Sequence, residues 1–205
     1  MGGTALSLRI GHRLSEDLDF FYSDPLLPGK RLDLLRKKAI ESGIEFQHQD
    51  DPGALEEFER VKMELHDYQQ DYIVNRSVKV TFLTGDESLC RLIKTFPSAA
   101  LRIAELPELF RSKAILSSQR SKSRDWFDLF TLMTAKHFTF SDYVEAFQYA
   151  GIPTRWESGA ARICSGHLSE SDEGYAHLGY SLPAIEELAA YFREQRDEYE
   201  IKEAE

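Results

Sequence analysis

Two periodicities divide the chain. As far as about residue 100, apolar and polar positions alternate in short runs. From about residue 101 the apolar positions recur every three to four residues. The opening segment, residues 4–11, places Ala5, Leu6, Leu8 and Ile10 on a short predicted helix, with Thr4 as its cap and Gly11 at its end. A polar turn, 12–16, leads to a strand over 17–21, whose Leu18 and Phe20 are expected to face the core. Residues 28–42 predict a helix that starts at Pro28, carries a stripe of Leu32, Leu35, Ala39 and Ile40, and stops before Gly43. Residues 44–48 alternate as a strand. Tyr72-Ile73-Val74 and Val78 to Leu83, joined by Asn75-Arg76-Ser77, form a predicted hairpin. Helices follow over 107–118, 123–136, 141–150 and 182–202, with Pro107 in a permitted first-turn position and Ser141 and Ser181 as expected N-caps. The pattern predicts an α/β (α+β) chain, with a small mixed sheet and flanking helices over 1–100 and a helical region over 101–205. No Gly/Pro/Ser-rich linker marks the boundary, and no internal repeat suggests a solenoid.

Composition narrows this picture. A chain of 205 residues fits one domain, or one core with a helical annex. Its 42% hydrophobic content suffices for a real core and excludes whole-chain disorder. No apolar run is long enough to span a membrane, and the N-terminus lacks the apolar core and cleavage site of a signal peptide. Cys90 and Cys164 are far apart and outside any C-x-x-C pattern, so reduced thiols and a cytoplasmic location are expected. The net charge of −10 argues against a general nucleic-acid coat protein. Its distribution matters more. Glu186 to Glu205 carries a net −5, whereas Leu109 to Arg124 carries +5, from Arg111, Lys113, Arg120, Lys122 and Arg124 with no acid among them.

The densest chemistry lies near the N-terminus. Asp17 and Asp19 are two apart on a predicted strand and leave the same face. Two such carboxylates repel, and a divalent cation with a preference for oxygen ligands, Mg²⁺, relieves the conflict. Gly2-Gly3 before a helix leaves backbone N–H groups free to meet an anion and lets a phosphate approach closely. Phosphate cradle, helix, turn and paired aspartates are together the parts needed for metal-assisted nucleotidyl transfer. A D-x-D or a Gly-Gly alone is commonplace; the joint order and spacing is not. Lys113 follows Phe110 by three and precedes Ser117 by four on its helix, and Asp125 and Asp128 share a face of the next one. Elsewhere, the six histidines show no zinc-ligand spacing with cysteine or with each other. His12 beside Arg13 suits either a phosphate contact or packing of the turn. No P-loop and no nucleophile elbow are present, and Trp126 and Phe127 suit the core.

The segments GGTALSLRIGHRLSEDLDFF (2–21), SVKVTFL (77–83) and LFRSKAILSSQRSKSRDWFDL (109–129) resemble the AbiEii-type nucleotidyltransferase toxins of the abortive-infection, type IV toxin–antitoxin group, within the polymerase-beta-like superfamily. The resemblance implies a Mg²⁺-dependent enzyme that moves an NMP from an NTP to a hydroxyl of RNA (tRNA included) or of protein, with a cognate antitoxin and a role in phage defence. By resemblance Asp17 and Asp19 bind the metal and Lys113 meets nucleotide phosphates. Asp125 is the active-site carboxylate of the RD-x-x-D segment, with Arg124 and Asp128 orienting neighbours. Gly2, Gly3, Thr4, Arg13, Ser15, Arg120 and Arg124 are the nucleotide-binding candidates.

Two departures from the family pattern stand out. The superfamily carries a third carboxylate on a neighbouring strand, but the matching arm here offers Lys79 and Thr81, and Asp125 is left as its candidate substitute. Relatives also have residues ahead of the Gly-Gly, so either the start lies upstream or an edge strand is lacking. Both departures motivate an alternative: a catalytically degenerate module that binds a nucleotide or a partner without transfer.

Overall fold

Backbone pairing in the N-terminal part follows from its short alternating runs. In the computed structural model, which describes residues 2–93, 101–175, 178–179 and 182–205, four strands form one mixed sheet: β1 (Asp17–Tyr22), β2 (Phe46–His48), β3 (Gln69–Val74) and β4 (Val78–Thr84). Their order is β1-β4-β3-β2, with β1 parallel to β4 and the other pairs antiparallel. The chain is a mixed α/β protein, 55% helical. It divides into two compact units. The first holds the residues up to Thr4 together with Ser15–Cys90; the second holds Ala5–Leu14 with Arg91–Glu205.

In the first unit, the hairpin of β3 and β4 turns through Asn75 and Arg76, both with positive φ (47° and 62°). The register puts Leu18, Phe20, Val80, Phe82, Tyr72 and Phe46 on one face of the sheet. There Phe20 stacks on Phe82 and Tyr72 meets both Phe82 and Phe46 edge-on. Tyr72 and Val80 are buried, but Leu18 is 38% exposed and does not fill the core position expected of it. Helix α2 (Gly29–Glu41) starts after Pro28 as predicted, and buries none of its residues fully. Helix α3 (Pro52–Arg60) was not predicted, although its start is well marked: Asp51 caps it by accepting from the Gly53 N–H at 3.0 Å, and Pro52 takes the first position. A 3-10 turn, Leu65–Asp67, leads into β3, and α4 (Glu87–Leu92) follows β4.

Helix α1 (Gly3–Ile10) begins one residue earlier than predicted, so Thr4 lies inside it and is not its cap. Gly11 follows with φ +61° and ends it as expected. In the second unit the helices are α5 (Leu106–Ser117), α6 (Ser123–Lys136), α7 (Phe140–Tyr149), α8 (Arg155–Ser165) and α9 (Ile185–Ala204). Trp126, Tyr143, Phe110, Phe147, Phe192, Leu129 and Ile163 are fully buried there. α7 starts before Ser141, because Thr139 is the better cap: its hydroxyl accepts from the Asp142 N–H, and the Asp142 carboxylate accepts from the Thr139 N–H at 2.7 Å. The expected cap Ser181 lies outside the described residues. α8 was not predicted. Its buried face is Gly159, Ala160, Ile163 and Cys164, and a Cβ on Gly159 would overlap the Tyr143 hydroxyl and the Ser117 hydroxyl. Small size, and not turn formation, explains that glycine. Among the described residues, no helix is long and apolar enough to cross a membrane.

Candidate active site

The polar face of the sheet carries one of two groups of functional candidates. Asp17 pairs with Lys79 and Asp19 with Thr81 across β1 and β4. Asp17 and Asp19 therefore leave the same face, as period two requires. Thr81 pairs in turn with Asp71 on β3, so Asp19, Thr81 and Asp71 form one row across three strands. The Thr81 hydroxyl donates to one Asp71 carboxylate oxygen at 2.5 Å, and the Gln69 side-chain amide donates to the other at 2.6 Å. Asp71 is 6% exposed and Thr81 8%.

The N-terminal glycine meets this row. Gly2 has φ +87°, and a Cβ there would collide with the Asp19 carboxylate. Glycine is thus required twice at this position, by backbone conformation and by close approach. The Thr4 hydroxyl hydrogen-bonds the Ser15 hydroxyl at 2.8 Å and also the Asp17 carbonyl oxygen. Two expected nucleotide-binding hydroxyls are thereby joined directly to each other and to the backbone of an aspartate. A carboxylate pair on one face is an oxygen-donor set of the kind Mg²⁺ accepts, and the backbone at Gly2 approaches it more closely than a residue with a Cβ would allow.

The second group is a buried charge network within the helical unit. Asp128 sits at its hub, fully buried. One of its oxygens accepts from His12 Nε2 and Arg13 Nε, both at 2.7 Å. The other accepts from Arg13 Nη2 at 3.0 Å and pairs with Lys113 Nζ at 2.8 Å. Lys113 also donates to Asp125 at 2.5 Å, and the second Asp125 oxygen accepts from Arg120 Nε at 2.8 Å. Burial alone would raise both carboxyl pKa values. For Asp128 the Lys113 charge, then the His12 and Arg13 hydrogen bonds, reverse this and hold the group well below the ordinary carboxylate value. For Asp125 the charges of Lys113 and Arg120 likewise overcome burial and lower it. Burial would depress Lys113, but Asp125 and Asp128 together raise it. All three groups are held in their charged forms. The His12 ring stacks on Phe127 with centroids 5.7 Å apart, while its Nδ1 is buried without a hydrogen-bond partner among the described residues.

A family model described as the nucleotidyl transferase AbiEii toxin of type IV toxin–antitoxin systems matches residues 1–161. The chain belongs to the AbiEii family. No significant match was found among curated proteins or solved structures. Membership makes this a nucleotidyltransferase-like toxin and suggests a cognate antitoxin.

Within this AbiEii protein, the structure brings Gly2, Thr4, Ser15, Asp17 and Asp19 together in the sheet unit, and Arg13, Lys113, Arg120 and Asp125 together in the helical unit. Gly3 opens α1. Arg124 turns aside from the network. Its Nε donates to the Gly174 carbonyl at 3.1 Å and its Nη2 pairs with Glu173 at 3.2 Å. The basic run that stood out in the sequence resolves into local partners. Arg111 lies over the Tyr149 ring at 4.3 Å, and Lys122 bonds Ser171. Of its five cations, Arg120 keeps a largely accessible side chain, 49% exposed. The residue that sequence reasoning missed is Asp71. The predicted hairpin began at Tyr72, whereas β3 begins three positions earlier, at Gln69. Asp71 and Thr81 are equidistant from Arg76, and extending the hairpin by one pair would have placed an acid beside the strand that offers none.

Proposed function

We propose that this AbiEii protein is a Mg²⁺-dependent nucleotidyltransferase, transferring an NMP from an NTP to a hydroxyl of RNA (tRNA included) or of protein. The observation that carries the reading is the row of Asp19, Thr81 and Asp71 with Asp17 on the same face, against a glycine whose Cβ would strike Asp19. Asp17 and Asp19 would hold the cation, which when bound offsets phosphate charge and polarises the transferred phosphoryl group. The N–H groups of Gly2 and Gly3 and the hydroxyls of Thr4 and Ser15 would bind phosphate oxygens. Asp71 supplies the third carboxylate that β4 lacks. Strand spacing puts its backbone roughly 10 Å from that of Asp19, with Thr81 between them, and Asp71 would take the proton of an acceptor hydroxyl.

Lys113 and Asp125 are required residues in this reading, and their burial favours a positioning role. They neutralise each other and, through Asp128, fix Arg13 within the helical unit. Arg120, Arg124 and Arg13 remain candidates for contact with the nucleotide, with Arg120 the most accessible of the three. The family and the lack of a membrane-crossing helix among the described residues fit a cytoplasmic enzyme with a cognate antitoxin.

The test is transfer of label from each α-labelled NTP, with Mg²⁺, into total RNA and into protein. Label should enter one acceptor class and vanish in Asp17→Ala and Asp19→Ala. Nucleotide binding that persists without transfer to either class would instead establish the binding module.

A further inference from the structure

Away from both groups of residues described above, two side chains of one short stretch, His48 and Asp50, and a third from a later turn, His66, converge at the β2 edge of the sheet. His48 ends β2, Asp50 follows two residues later, and His66 lies in the 3-10 turn before β3. Backbone and side-chain bonds hold the three stretches in place. His48 pairs with Tyr72 in the ladder, the Gln49 N–H donates to the Asp71 carbonyl at 3.0 Å, and the Gln70 amide donates to the His66 carbonyl at 2.9 Å. His48 Nδ1 stands 3.5 Å from one Asp50 oxygen, and His66 Nε2 stands 3.0 Å from the other. The two imidazole rings lie 5.1 Å apart, and the His48 ring also packs on Tyr72 at 4.4 Å.

We propose that His48, Asp50 and His66 form a second metal site, for a divalent transition-metal ion of the Zn²⁺ type. One ligand atom from each residue already lies within 4.8 Å of the other two. Around a tetrahedral ion with bonds of about 2.0–2.1 Å, ligand atoms stand roughly 3.4 Å apart. The remaining contraction is within the reach of rotamer changes, because the three side chains are 36%, 23% and 49% exposed and free to adjust. Two imidazole nitrogens and one carboxylate oxygen are the donor set that selects Zn²⁺ and its neighbours over Mg²⁺. Three protein ligands leave a fourth position for water. Such an ion would tie the end of β2 to the turn that leads into β3. The inference rests on the geometry of these three residues and not on the proposed transferase chemistry.

The test uses the full chain, freed of metal with a chelator and returned to buffer containing Mg²⁺. Co²⁺ is added alone and its visible ligand-field bands are followed; Zn²⁺ is then added in competition. One Co²⁺ should bind per chain with tetrahedral-type bands, and Zn²⁺ should displace it. His48→Ala and His66→Ala should each weaken binding by more than the roughly 10–100-fold that changes outside a ligand set cost. Asp50→Asn should weaken it too, while His167→Ala, at an exposed histidine in the helical unit, should not. Zn²⁺ should raise the melting temperature of the native chain and leave the His48→Ala/His66→Ala double variant unchanged. If the alanine variants do not fold, the corresponding glutamine variants provide the same comparison. A native chain that binds no Co²⁺ in the presence of Mg²⁺, or a folded double variant that binds as tightly as the native chain, overturns the proposal.

Discussion

Asp71 has the same side chain as Asp17 and Asp19 but a different setting. Both its oxygens already accept hydrogen bonds, from Thr81 and Gln69. Asparagine there keeps an oxygen for Thr81 but removes the charge and the basicity. Asp71→Asn should therefore lower label transfer by about 10²-fold or more, within the range lost with a general base, while circular dichroism stays native. Unchanged transfer would remove Asp71 from the mechanism. Gly2 is tested differently. Gly2→Ala puts a methyl into the Asp19 carboxylate and forces φ +87° on a residue with a Cβ. Transfer should fall, because both the backbone at Gly2 and the Asp19 carboxylate must shift; native turnover would show that the cradle is not used. The aspartate pair was legible in the sequence because positions i and i+2 share a strand face whatever the neighbouring strands do. Asp71 was missed because the predicted hairpin arm stopped at Tyr72, and the His48–Asp50–His66 cluster because it depends on register between strands that no local pattern supplies.

Elements were legible where amphipathic period and end signals agreed. α2 lies between Pro28 and Gly43, and α6 has a strong apolar stripe; both were predicted within a residue or so. α8 was missed although Ala160 and Ala161 favour a helix, because Gly159 and the serines beside them weaken the signal. Tertiary packing overrides that weakness, since Gly159 lets α8 approach the Ser117 and Tyr143 hydroxyls, which bond each other at 2.8 Å. Gly159→Val should wedge this contact apart and cost about 1–3 kcal/mol, the usual range for overpacking. Urea denaturation would read this as a lower midpoint at a similar slope. A midpoint equal to that of the native chain would mean that α8 can shift without loss.

On the scale of the whole chain, net charge was a poor guide and the placement of charge a better one. The +5 run does not form an open basic surface, because its cations are absorbed by Asp125, Asp128, Tyr149, Ser171, Gly174 and Glu173. The strongest electrostatic feature is instead buried, and it makes stability depend on pH. Asp125 and Asp128 have pKa values lowered on folding, so their contribution is complete above the ordinary carboxylate value of about 4 and drains away as pH falls below it. Lys113 is raised on folding, so its contribution is complete below about 10.4 and is lost only as pH climbs past that value. The helical unit should thus hold a plateau of stability between these limits, with an acid edge set by the two aspartates. Asp128→Asn strips the hub of its charge and leaves Arg13 and Lys113 short of a partner in a buried setting. At neutral pH this should cost about 3–5 kcal/mol, as broken buried pairs do. The gap between native and variant chains should narrow as pH drops below about 4, because the native carboxylate begins to lose its own advantage there. Melting temperatures of both chains across the acid range provide the measurement. A gap that stays constant down to the acid limit would show that Asp128 acts through packing and hydrogen-bond shape, and that its charge is not what holds Arg13 and Lys113.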